Sequence, residues 1–178
     1  MPTVVVVGHG VIRSRPTSQH HAAPPRAHPA RPPAPARHGG TAPAGPDGTV
    51  PVVRSEVETA TGYLASFADG DPDDIVAFVA DGFVNEHLSE LGSGSVGADE
   101  YRERLPGFLS TFAGARYTVL DVVGDGATVV VRYTFEATFD GTGIEIPGMM
   151  WFTVVDGEIT TRTDLWDSLA FLRQTGQA

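Results

Sequence analysis

Arg162, Asp164 and Asp167 stand among threonines and tryptophan in the run Thr160-Thr161-Arg162-Thr163-Asp164-Leu165-Trp166-Asp167. A strand that sets a carboxylate among aromatic residues reads as the floor of a pocket, and the chemistry open to it is proton transfer. Trp151, Phe152, Trp166 and Tyr133 supply a dry aromatic setting, and Met149 and Met150 extend an apolar lining for a small hydrophobic molecule. Arg132 and Tyr133 offer a cation and a phenol to orient a substrate or stabilise an oxyanion. His87 is the one histidine of residues 51–178. Titrating near neutral pH, it suits a proton shuttle, or equally a hydrogen-bonded residue at a chain reversal. Tyr63 and Tyr101 fall on helical apolar faces and belong to the core, with hydroxyls in reach of a cavity. Glu86, His87 and Glu90 lack the paired histidines that a zinc site favours, so no metal is expected.

The elements that must position these residues follow from periodicity and punctuation. Ser55 with Glu58 is a capping-box pattern, and Val57, Ala60, Thr61, Leu64, Ala65 and Phe67 trace one helical face. Pro72 suits the first turn of a second helix through Ile75, Phe78 and Val79, which Asp81-Gly82 stops. Residues 83–88 are extended or a short turn, and 92–97 form a loop. A third helix starts near Ala98, with Pro106 forcing a kink or break. Beyond Gly114 the period switches to two, giving strands at 117–123, 128–139, 144–155 and 158–166. Residues 168–174 are a short helix or a tail. The expected fold is α+β: three N-terminal helices on a curved antiparallel sheet of about four strands, enclosing a conical cavity.

Asp156-Gly157 is a strong hairpin signal, but the register it sets is open. A two-residue turn pairs Asp164 with Met149 and puts it on the face of Trp151. A three-residue loop puts it on the face of Met150 and Phe152. In either register Asp164 shares a face with Arg162 and Thr160, which also suits a salt-bridged surface carboxylate.

Two compositional regions divide the chain. Residues 1–50 hold ten of fourteen prolines, five of six histidines, and five arginines against one acid. Without periodicity, this tail cannot bury enough apolar surface to offset its ordering entropy, so disorder or a mis-assigned start is expected. Residues 51–178 form the pocket domain, with seven arginines against twenty-one acids. Such an acidic domain is a poor partner for nucleic acid. The absence of cysteine excludes disulfides, thiolate metal sites and cysteine nucleophiles. No apolar run approaches the ~20 residues of a membrane span, and Val4–Val7 is too short for a signal-peptide core, so no membrane partner and a cytoplasmic location are expected.

The order of elements, with Asp156-Gly157-Glu158-Ile159 followed by Arg162-Thr163-Asp164-Leu165-Trp166-Asp167, resembles the SnoaL-like branch of the nuclear transport factor 2-like superfamily over about residues 55–176. Its relatives include polyketide cyclases, ketosteroid isomerases and limonene epoxide hydrolases, alongside non-enzymatic binding and assembly domains. The resemblance implies a general-base aspartate in the last strand at Asp164, with His87 as a second catalytic residue at the cavity mouth. It implies a cofactor-free reaction on a hydrophobic carbonyl- or epoxide-bearing metabolite. The cyclases' histidine on the preceding strand falls at Met150. The hydrolases' arginine falls at Arg132 and their second aspartate at Thr134, with Glu136 a substitute on the same face. A homodimer is also implied, through Ile146, Met150 and Phe152 if they face outward. A non-catalytic binding or dimerisation module is the alternative function.

Overall fold

The computed structural model describes residues 54–178 and two short strands, β1 (Val5–Val6) and β2 (Val11–Ile12), paired antiparallel. The expected disorder of the 1–50 tail otherwise lies outside the described residues. From residue 54 the elements run α1 (Glu56–Ser66), α2 (Pro72–Val76), β3 (Val79–His87), β4 (Ser95–Val96) and α3 (Ala98–Thr111). β5 (Phe112–Asp125), β6 (Thr128–Phe139), β7 (Thr142–Val155), β8 (Glu158–Trp166) and α4 (Ser168–Gln174) follow.

Six strands form one sheet in the order β4-β3-β8-β7-β6-β5. All neighbours are antiparallel except β3 and β8, which run parallel. The α+β class agrees with the sequence reading, but the count is corrected: among the described residues there are six strands in the sheet and four helices, against about four strands and three N-terminal helices with 168–174 a helix or a tail. The added strands are β3, where the sequence reading has residues 83–88 extended or a short turn, and β4, in the expected loop. Asp81 and Gly82 lie exposed within β3, whose register against β8 shifts between Val79 and Val84. That irregularity breaks the alternation by which a strand is recognised, and its pairing partner lies some eighty residues away.

Local signals elsewhere are obeyed. The Ser55 hydroxyl accepts from the Glu58 amide while the Glu58 carboxylate accepts from the Ser55 amide, closing the capping box. α3 runs through Pro106 without a break. Pro106 sits on its exposed side, and Tyr101, Leu105 and Phe108 anchor the opposite side. Asp167 caps α4 by accepting from the Ala170 amide at 2.9 Å.

The β7–β8 turn decides the site. Asp156 and Gly157 both have positive φ, 53° and 83°, and Val155 pairs with Glu158, so the turn has two residues. Val154 then pairs with Ile159, but Thr153 pairs with Thr161. The extra residue, Thr160, is a bulge that moves the rest of β8 by one position. Asp164 therefore pairs with Met150, not Met149, and lies on the buried side with Met150 and Phe152. Ile159 and Arg162 are both buried across the bulge, so Thr160 does not share their face. Between sheet and helices lies an aromatic core in which Phe108, Phe112, Phe135 and Phe171 pack edge to face or tilted.

Candidate functional site

Past the bulge, β8 presents Arg162, Asp164 and Trp166 to the core side, and the parallel strand β3 sets Asn85 beside Arg162 and His87 beside Asp164. Arg162 and Asp164 are only 2% and 3% exposed. They are not a surface salt bridge. Buried charged groups persist only where other polar groups meet them, and here four elements supply these. Arg162 donates through Nη1 to the Tyr63 hydroxyl of α1 at 2.6 Å, and through Nη2 to His87 Nε2 at 3.1 Å. The Tyr63 hydroxyl also bonds that of Tyr101 on α3. Tyr133 of β6 donates to Asp164 Oδ1 at 2.7 Å. His87 Nδ1 stands 3.8 Å from Asp164 Oδ2, beyond hydrogen-bond length, and has no other partner.

These contacts fix protonation states. Burial, then the neighbouring Arg162, push the His87 imidazole down to about 3, so it is neutral near pH 7. A guanidinium only donates, so the network assigns His87 Nε2 as acceptor and places the ring proton on Nδ1, towards Asp164 Oδ2. Near neutral pH His87 is therefore a neutral imidazole, where the sequence suggested a group titrating there. Burial also raises Asp164 above the ordinary carboxylate value, against the opposing pull of Arg162 and the Tyr133 bond. Burial works against the Arg162 charge, yet the tyrosine oxygens and Asp164 hold its pKa above the ordinary value, so it stays charged. Burial pushes Tyr133 up, keeping it a neutral donor.

His87, Arg162, Asp164, Tyr133 and Tyr117 form the polar end of a cavity of about 40 Å³ whose remaining walls are Phe67, Phe108, Phe112, Phe135, Ile144, Ile146, Trp166 and Phe171. That is room for about three waters, so a metabolite enters only as side chains move. Of the expected residues, the structure brings Asp164, His87, Tyr133 and Trp166 together on the cavity. Tyr63, Met150 and Phe152 are fully buried in the surrounding core. Arg132 and Trp151 are corrected: each lies one residue from an inward position and so projects from the opposite face, where Trp151 is 56% exposed. Glu136 is spent on the exposed side, bound to Arg116 and Thr118. Ile146, Met150 and Phe152 face inward, so they offer no pairing surface.

The cation on the cavity is not Arg132 but Arg162, two residues before Asp164. Its spacing from Asp164 and Trp166 was the available signal. Met150 does stand beside Asp164 on β7, while the imidazole comes from β3 on the other flank of β8. Among the described residues no cluster of three or more potential ligands could hold a metal ion. No described helix is long and apolar enough to cross a membrane.

The model of the SnoaL-like domain matches residues 60–162. No curated protein matches the chain significantly. Solved structures share the fold. A hypothetical protein with a ketosteroid isomerase-like fold from Catenulispora acidiphila, in complex with trimethylamine, is 15% identical with a TM-score of 0.63, over 68% of this chain and 94% of its own. An epoxide hydrolase from M. tuberculosis, described as LEH-like, is 20% identical with a TM-score of 0.60, over 67% and 87%. IdmH, a proposed polyketide cyclase from Streptomyces antibioticus, is 21% identical with a TM-score of 0.61, over 69% and 99%. The chain belongs to the SnoaL-like domain family.

Proposed function

We propose that this protein is a cofactor-free enzyme that isomerises, cyclises or hydrolyses a small hydrophobic carbonyl- or epoxide-bearing metabolite by general acid–base catalysis. The observation that carries this reading is the buried pair of Asp164 Oδ2 and His87 Nδ1, 3.8 Å apart at the polar end of an aromatic cavity. Asp164 Oδ2 takes a proton from carbon beside a carbonyl, or from the water that opens an epoxide. His87 Nδ1–H donates to the oxygen on which negative charge develops, and Arg162 holds the ring in that tautomer through Nε2. Tyr133 occupies Oδ1 throughout. The proton then returns from Asp164 to the product oxygen or carbon, so isomerisation and cyclisation consume no other reagent and epoxide opening consumes only the attacking water. The family and its cyclase- and hydrolase-named neighbours support the reaction class.

The test is turnover of a panel of hydrophobic ketones and epoxides followed by mass spectrometry. Wild type converts at least one member, and Asp164→Asn, folded as shown by circular dichroism, loses about 10²–10⁴-fold in rate. Unchanged turnover in the variant sinks the mechanism.

The non-catalytic reading, as a pairing module, is favoured by one observation: Met149, Trp151 and Leu165 lie roughly half exposed on the outer sheet face. This face, rather than Ile146, Met150 and Phe152, is where we place the contact of a homodimer. Enzyme and dimer are compatible, since the two faces do not compete.

A further inference from the structure

Tyr133 lies on β6 and Asp164 on β8, with β7 between them. Side chains two strands apart start roughly 10 Å from one another, so the phenol reaches the carboxylate only by lying across β7. The residue it crosses is Gly148, its register partner. A Cβ on Gly148 would stand 2.3 Å from Tyr133 Oη, 2.4 Å from Cζ and 2.9 Å from Cε2. Those separations lie far inside van der Waals contact. The Gly148 backbone is not in the left-handed region, so no turn requires glycine there. Its neighbours on the same side of β7, Ile146 and Met150, are buried side chains. The gap at 148 is what the ring occupies.

We propose that Gly148 is a positioning residue: by presenting no side chain it lets Tyr133 cross β7, hold Asp164 Oδ1, and leave Oδ2 as the oxygen that reacts. The catalytic meaning rests on the acid–base reading above; the geometry does not need turnover to be tested. A second glycine is used in the same way on the other partner, since a Cβ on Gly92 would lie 2.3 Å from His87 Cβ and 2.7 Å from Cγ.

The experiment is a ¹³C NMR titration of aspartate carboxyl carbons in the full-length protein, with Asp164 assigned by the signal that Asp164→Asn removes. Tyr133→Phe deletes a donor to the charged carboxylate, so the Asp164 midpoint moves to higher pH. Gly148→Ala displaces the same hydroxyl, and its midpoint is expected to move the same way. The double variant should titrate with Tyr133→Phe alone, because both changes act through one bond. A Gly148→Ala midpoint at the wild-type value, or a double variant whose shift is the sum of the two, overturns the assignment. If Gly148→Ala does not fold, adding Tyr133→Ala removes the clashing ring and should restore folding; failure to restore it overturns the assignment equally. Loss or retention of turnover in Asp164→Asn reports on the acid–base reading separately and leaves the titration result standing.

Discussion

Along β6, β7 and β8 the two sides of the sheet carry inverted chemistry. On the helix side, Arg162 and Asp164 are almost wholly buried; on the other, Met149, Trp151 and Leu165 are 45%, 56% and 50% exposed. Ordinary patterning puts charge outside and bulk apolar groups inside. A desolvated, hydrogen-bonded charge cluster marks a place where chemistry is paid for in stability, whereas an exposed apolar face marks a contact for another molecule. One residue separates the two, since without the Thr160 bulge Asp164 would pair with Met149 and take the side that Leu165 now occupies.

The arginines of the two sides give the sharpest contrast. Arg162→Ala leaves Tyr63 and His87 Nε2 without their donor and Asp164 without its neighbouring cation, and it should destabilise the domain by about 3–5 kcal/mol in urea unfolding. A loss under 1 kcal/mol would show that the buried cluster is not energetically coupled.

The next effect depends on pH. The folded pKa of His87, about 3, lies below its ordinary 6.5 because of burial and Arg162. The unfolded chain therefore binds the proton more readily between these values. This contribution to stability is present above pH 6.5 and is lost as pH falls towards 3, amounting to a few kcal/mol in order of magnitude. His87→Gln should flatten that limb of the stability profile, measured by chemical denaturation from pH 7 to 4. Asp164 has the opposite sign. Its raised folded pKa contributes stability below the ordinary 3.8 that is lost as pH rises through the folded value, and Asp164→Asn should remove that slope. Activity, where found, should show no limb near 6.5 that His87→Gln removes, because His87 is neutral there.

On the outer face, Trp151→Glu should change monomer stability by less than about 1 kcal/mol while shifting a dimer towards monomer in light scattering. An unchanged oligomeric state would remove this face from the contact. The smallest effect belongs to Arg132→Ala, expected within about 0.5 kcal/mol of wild type and neutral for turnover. A large loss of rate there would contradict its placement away from the cavity.

Where structure is written locally, the sequence was legible. The capping box at Ser55, the Asp156-Gly157 turn and the alternating strands 128–139 and 158–166 each carry their signal within a few residues. Asp164 and His87 were singled out by residue type, and they meet. Three features were not legible. β3 joins β8 by a parallel, long-range pairing that leaves no local signature. The Thr160 bulge is a tertiary choice between registers, and it set Asp164 and Arg162 on the sheet face opposite Arg132 and Trp151. Burial of His87 under the loop that contains Gly92 turned an apparent neutral-pH titrant into a neutral imidazole.

Proton abstraction by Asp164 is most directly measured by exchange of α-protons in D₂O, followed by ¹H NMR on a panel of hydrophobic aromatic ketones. Wild type should wash deuterium into the α-position of at least one ketone while Asp164→Asn, equally folded, does not. Exchange at the same rate in both proteins would contradict Asp164 as the base.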